Sequence, residues 1–142
     1  MTPTMFVVPW RWTGARRSDH ALLFASRFDA KGLRARWLLF RGGLRMRREV
    51  LSAPGALGVG LRAHPVRGRF YTLSMWQDEA SLLLFARAPK HQGVVGAMRR
   101  LGPVQGALVS RDADTARPPS WRYTIEWLAS ATPGPYRPAG PA

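Results

Sequence analysis

Cysteine is absent from this 142-residue chain. That excludes a disulfide framework, a thiol nucleophile and any cysteine-based metal site. Asparagine is absent as well. Lysine nearly is: of 22 basic residues, only Lys31 and Lys90 are not arginine. Acidic residues number 8, which leaves a net charge of +14. No run of about eighteen apolar residues occurs, so the sequence predicts no membrane span. The start, MTPTMFVVPWRWTGARR, has no basic segment ahead of its short apolar patch and does not read as a secretory signal. A soluble, cytoplasmic protein is therefore expected. His20, His64 and His91 show no His-x-x-x-His spacing, so no helical metal pair is expected. No glycine-rich loop leads from a strand into a helix, and no serine sits in a nucleophile elbow.

An apolar content of 46% is enough for one ordinary core, and the length suits one domain. The excess of arginine over lysine comes with abundant Ala, Gly, Pro and Trp. That combination is what a GC-rich coding bias produces, so the charge reads first as compositional. A polyanion partner is the competing explanation.

The chain divides into an arm over 1–19, a folded domain over 20–128 and a Pro/Gly-rich tail over 129–142 that reads as disordered. In the arm, Phe6, Val7, Val8, Trp10 and Trp12 suit a strand, but Pro9 bars a central one. Ala21 to Phe28 alternates as a strand, with Leu22, Phe24 and Phe28 on one face. Leu33 to Leu51 has helical periodicity, with Leu33, Trp37, Phe40, Leu44 and Leu51 near one line. Arg34, Arg41, Arg45 and Arg48 fall on another side, and Gly42 and Gly43 weaken the helix. Ala53-Pro54-Gly55 ends it.

Ala56 to His64 reads as a strand with Leu57, Val59 and Leu61 on one face and Gly58, Gly60 and Arg62 on the other. The glycines there predict a bulge or a close approach. Pro65 to Gly68 is a hairpin turn into the strand Arg69 to Trp76. Asp78 and Glu79 open a second helix. Pro89 should kink or break it, and beyond the break His91, Val95, Met98 and Leu101 share a face. Gln105 to Pro119 is polar and reads as a loop with, at most, a short strand at Ala107 to Val109. Trp121 to Leu128 alternates Trp121, Tyr123, Ile125 and Trp127 against polar residues, and so reads as the last strand.

Strand, helix, strand, strand, helix, strand is the order of an α+β, ferredoxin-like fold: an antiparallel sheet with two helices on one face. The second face would be exposed although it carries large apolar residues, which predicts a homodimer packed sheet to sheet.

That order, with APGALGVGLRA and FYTLSMWQDEASLLLFARAPKH, resembles the dimeric α/β-barrel superfamily, and within it the antibiotic-biosynthesis-monooxygenase-like domains. The features carrying the likeness are Ala53-Pro54-Gly55, the aromatic strand Tyr71 to Trp76, the acidic helix start Asp78-Glu79, Phe85 and His91. The resemblance implies a homodimer and an oxidoreductase of the monooxygenase type. Its substrate would be a hydrophobic aromatic or polyketide-like compound, and no cofactor would be needed. Relatives that degrade haem use an asparagine, which this chain lacks. Phe85 stands where their helix tryptophan would fall, and His91 is not a haem ligand on that analogy.

The candidate catalytic residue is His91, a general base whose ordinary pKa near 6.5 would let it take a phenol proton at neutral pH. The plain alternative is a packed helix histidine after a proline break. Tyr71, Trp76 and Phe85 are candidate walls of an aromatic pocket, or ordinary core. Arg62 is a candidate partner for a substrate carboxylate or phenolate, or an edge arginine. Asp78 and Glu79 are better explained by helix capping than by catalysis. Two other functions compete: a ligand-binding or accessory protein without chemistry, and a basic nucleic-acid-binding module using Arg34, Arg41, Arg45 and Arg48. The last lacks any base-stacking motif.

Overall fold

The computed structural model describes residues 6–17, 21–64 and 67–130. Its sheet has five antiparallel strands: β1 (Phe6–Trp12), β2 (Ala21–Asp29), β3 (Ala56–His64), β4 (Arg69–Trp76) and β5 (Val104–Ala113). Their order across the sheet is β1-β3-β4-β2-β5. Helices α1 (Leu33–Ser52), α2 (Glu79–Arg87) and α3 (Pro89–Arg99) join the strands, and α4 (Trp121–Ser130) follows β5. Without β1 and α4 the connectivity is the expected ferredoxin-like one, with β4 and β2 in the middle.

Local chemistry sets the helix boundaries. Asp78 caps α2, its carboxylate accepting the Ser81 backbone N–H at 2.8 Å. Hydrogen bonds from the Ser81 backbone and side chain hold that carboxyl below its ordinary pKa. Pro89 does break the second helical stretch: α2 ends at Arg87, Ala88 is extended, and Pro89 takes the first turn of α3, where its missing N–H costs nothing. The APG turn closes α1 with Gly55 at φ +82, a left-handed conformation suited to glycine. The Gly55 carbonyl then accepts the Gln77 N–H at 2.8 Å, tying the start of β3 to the end of β4.

The buried stripe of α1 differs from the expected one. Leu39, Met46 and Val50 face the sheet, whereas Leu33 and Trp37 are 84% and 62% exposed and Leu44 is also at the surface. Both sets have helical spacing, and which of them meets the sheet is decided by tertiary packing. The core on this side includes Phe28, Val59, Phe70, Trp76, Leu82 and Met98.

The C-terminal readings are corrected. Val104–Ala113 is a ten-residue strand and not a loop, pairing with β2 from Val104↔Phe28 to Ala113↔Ala21. The last segment, Trp121–Ser130, is a helix and not a strand. WRYTIEWL satisfies both periods, since Trp121, Ile125 and Leu128 are also spaced i, i+4, i+7, and short segments of this kind are ambiguous. The helix lies against the second face of the sheet. Leu73, Met75 and Tyr71 are buried there with Trp121 and Leu128, and Trp10, Trp12 and Ile125 pack at the margin. So the face expected to be exposed is covered from within the chain. Each large apolar side chain buried this way contributes roughly 1.5–3 kcal/mol.

The arm adds an edge strand, β1, paired with β3 and shifted in register between Val8 and Arg11, around Pro9. At β3 a second irregularity, between Ala56 and Gly58, moves Leu57 to the face opposite Val59 and Leu61. The close approach expected at the glycines is real. A Cβ on Gly58 would lie 2.4 Å from the Trp10 ring. The tail expected over 129–142 starts within α4, which runs to Ser130; its remainder over 131–142, residues 1–5, residues 18–20 with His20, and the Pro65–Val66 part of the hairpin turn lie outside the described residues. Among the described residues, no helix is long and apolar enough to cross a membrane.

Candidate active site

A cavity of about 140 Å³ lies between the sheet and helices α1, α2 and α3. Strand alternation supplies its floor. Thr72, Ser74 and Trp76 of β4 point to this face, and Phe24, Ser26 and Phe28 of β2 lie beside them. Met46, Arg47 and Val50 of α1 form one wall, Leu82 and Phe85 of α2 another, and His91, Val95 and Arg99 of α3 the third. The size matches a one- or two-ring compound: an engineered apolar cavity of about 150 Å³ binds benzene, and sites for drug-sized ligands begin near 300 Å³.

The helix break at Ala88 builds the aromatic corner. Ala88 N–H closes α2 on the Phe85 carbonyl at 3.1 Å, and its own carbonyl accepts the Gln92 N–H at 3.0 Å to start α3. Phe85 and His91 are thereby folded together, ring centroids 4.2 Å apart at 41°. Phe85 also meets Trp76 at 5.0 Å. The Trp76 indole N–H donates to Ser74 Oγ at 2.9 Å. Ser26 and Thr72, opposite each other in the β2–β4 register, are hydrogen-bonded through their hydroxyls. An otherwise apolar floor thus carries a short strip of hydroxyls.

Burial pushes the His91 imidazole down to about 4. Its Nδ1 is buried without a hydrogen-bond partner. At neutral pH the ring is therefore uncharged. This differs from the ordinary value assumed from sequence, because the fold desolvates the ring.

Of the candidate site residues, the structure brings His91, Trp76 and Phe85 together at this cavity. It does not bring Tyr71 or Arg62 there. Both point to the second face, where they stand opposite each other in the β3–β4 pairing. Arg62 lies over the Trp121 ring at 5.1 Å, and Tyr71 is buried in the α4-side core. The physical reason is parity: Tyr71 is an odd number of residues from Trp76, so the two cannot share a face. Ser26, Thr72, Ser74 and Arg47 were missed. Thr72 and Ser74 share the parity of Trp76 and were legible, whereas Ser26 and Arg47 needed the strand register and the helix rotation. Arg34, Arg41, Arg45 and Arg48 are exposed on α1, away from the cavity lining. Among the described residues, no three His, Asp or Glu side chains are grouped to hold a metal ion.

No protein-family model matches the sequence, and no curated protein matches it. Solved structures do match in fold. SnoaB, a cofactor-independent oxygenase from Streptomyces nogalater, aligns at 17% identity over 69% of this chain and 99% of its own, with a TM-score of 0.58. Rv0793 from Mycobacterium tuberculosis aligns at 16% identity over 68% and 99%, with a TM-score of 0.60. A protein from Deinococcus radiodurans, described as a candidate antibiotic biosynthesis monooxygenase, aligns at 12% identity over 70% and 98%, with a TM-score of 0.59. The chain has the ferredoxin-like α+β fold of these structures.

Proposed function

We propose that this chain is a small, cofactor-independent oxygenase acting on a hydroxylated aromatic compound of one or two rings. The observation that carries this reading is His91: an uncharged, desolvated imidazole in an apolar cavity, against Phe85 and beside Trp76. The fold shared with a cofactor-independent oxygenase supports it.

His91 would take the phenolic proton. The phenolate, delocalised into the ring, would pass one electron to dioxygen, and the radical pair would combine to form a carbon–oxygen bond. Loss of water from the ring peroxide leaves a carbonyl. Phenol plus dioxygen then gives quinone plus water: one oxygen atom enters the ring, the other leaves as water, and the four electrons come from the substrate.

The depressed pKa sets a condition. Moving a proton from an ordinary phenol near 10 to an imidazole near 4 is uphill by about 8 kcal/mol. The substrate must therefore be more acidic than phenol, or its anion must be stabilised in the cavity. The same depression favours a second reading, an accessory protein in which His91 accepts a hydrogen bond from the ligand and no chemistry follows.

Oxygen uptake with hydroxylated naphthalenes separates the two readings. Uptake with quinone formation, lost in His91→Ala, is the expected result. Binding without oxygen consumption would establish the accessory role, and turnover unchanged in His91→Ala would remove His91 as the base.

A further inference from the structure

We propose that the cavity selects an anionic aromatic, a carboxylate or a phenol bound as its phenolate, and that Arg47 holds the charge. This rests on reading the cavity as the ligand site, but not on any oxidation occurring there.

Arg47 lies on α1 between Met46 and Val50, both of which also line the cavity. Its side chain is half-buried, and its Nε, like those of Arg27, Arg36 and Arg62, has no hydrogen-bond partner within the chain. Other arginines have found carboxylates: Arg27 and Arg69 pair with Asp29, Arg45 with Glu49, and Arg117 with Asp114. Arg47 pairs with none among the described residues. No Asp or Glu lines the cavity at all, while a second arginine, Arg99, stands on its wall.

Apart from His91, the neutral polar side chains of the lining are already engaged. Ser26 and Thr72 bond each other, Ser74 accepts the Trp76 N–H, and the Gln92 amide donates to the Ala86 carbonyl. An anion in the cavity would meet the Arg47 guanidinium on the wall with no carboxylate of the lining competing for it. A guanidinium binds a planar carboxylate or phenolate with directed hydrogen bonds, strengthened where water is excluded. The same cation would lower the pKa of a phenol bound in the cavity, in the direction that the imidazole's own low pKa requires.

The test compares 1-hydroxy-2-naphthoate with its methyl ester by calorimetry or probe fluorescence, using salicylate and methyl salicylate as a smaller pair. The unmodified chain should bind each acid roughly 10- to 100-fold more tightly than its ester. Arg47→Met should abolish that preference, weakening acid binding by roughly the same 10- to 100-fold relative to the ester. Arg47→Lys should restore part of it. Equal binding of acid and ester, no binding of either acid at millimolar concentration, or a preference surviving in Arg47→Met would each overturn the assignment. An acid that binds and consumes no oxygen leaves the assignment standing and removes the oxygenase reading. Oxygen uptake with neutral phenols alone does the reverse.

Discussion

The rings of His91 and Phe85 lie 4.2 Å apart across a break between two helices. The break at Ala88 and Pro89 is what folds α3 back so that a histidine from its first turn lies against the last turns of α2. The contact is also part of the apolar surround that strips water from the imidazole.

That desolvation has a stability signature. The folded pKa is about 4, and the unfolded value is near 6.5. Between them the unfolded chain binds more protons, so stability falls as pH drops from 6.5 towards 4 and is untouched by this group above 6.5. The full difference corresponds to roughly 3 kcal/mol, and partial solvent contact reduces the expected effect to about 2 kcal/mol. Urea unfolding at pH 7.0 and pH 4.5 should show a smaller loss for His91→Gln than for the unmodified chain, by that amount. Identical losses would mean that the imidazole titrates normally.

The pH dependence of turnover follows from the same group. With His91 neutral down to about 4, oxygen uptake should show no acidic limb between pH 5.5 and 7.5. A limb near 6.5 in kcat/KM would contradict a desolvated base.

Ser74 is the acceptor for the indole N–H of fully buried Trp76. Ser74→Ala should leave that donor unpaired and cost about 1–3 kcal/mol in chemical denaturation. An unchanged midpoint would show that another acceptor takes over.

Gly58 and Gly60 lie under tryptophan rings, but not equally closely. An added Cβ would stand 2.4 Å from Trp10 at Gly58 and 3.1 Å from Trp121 at Gly60. Gly58→Ala should therefore cost about 1–3 kcal/mol, and Gly60→Ala distinctly less. The reverse order in denaturation midpoints would show that Trp10 yields easily.

Because α4 covers the second face of the sheet, light scattering should find the mass of a single copy. Removing 118–142 should uncover Tyr71, Leu73 and Met75 and drive the shortened chain into dimers or larger assemblies. A dimer of the unmodified chain that dissociates on mutation of exposed residues, with α4 intact, would place its interface elsewhere.

The ferredoxin-like core was legible because its strands carry strong signals. Ala56–His64 and Arg69–Trp76 have clean flanks in PG and RG turns, and Asp78 and Pro89 punctuate the helices. The polar letters of VQGALVSRDA concealed β5, which is a strand because β2 offers it an open edge. WRYTIEWL concealed α4 because alternation and helical spacing coincide in eight residues. At the site, a histidine after a proline break was visible as a type of position. Its desolvation was not, since that depends on walls contributed by elements far apart in sequence. Tyr71 failed on parity with Trp76, which the sequence does contain, whereas the face of Arg62 needed the register between β3 and β4.

The pairing of β2 with β5 also has a temporal side. Residues 21–29 wait for residues 104–113, and the second face waits for 121–130. During synthesis, β2 is an unsatisfied edge and the α4-side face is bare until the last quarter of the described chain has left the ribosome. Closure of this fold is thus a late, long-range event, and the nascent chain passes through a stage in which an open strand edge and an apolar surface are exposed together.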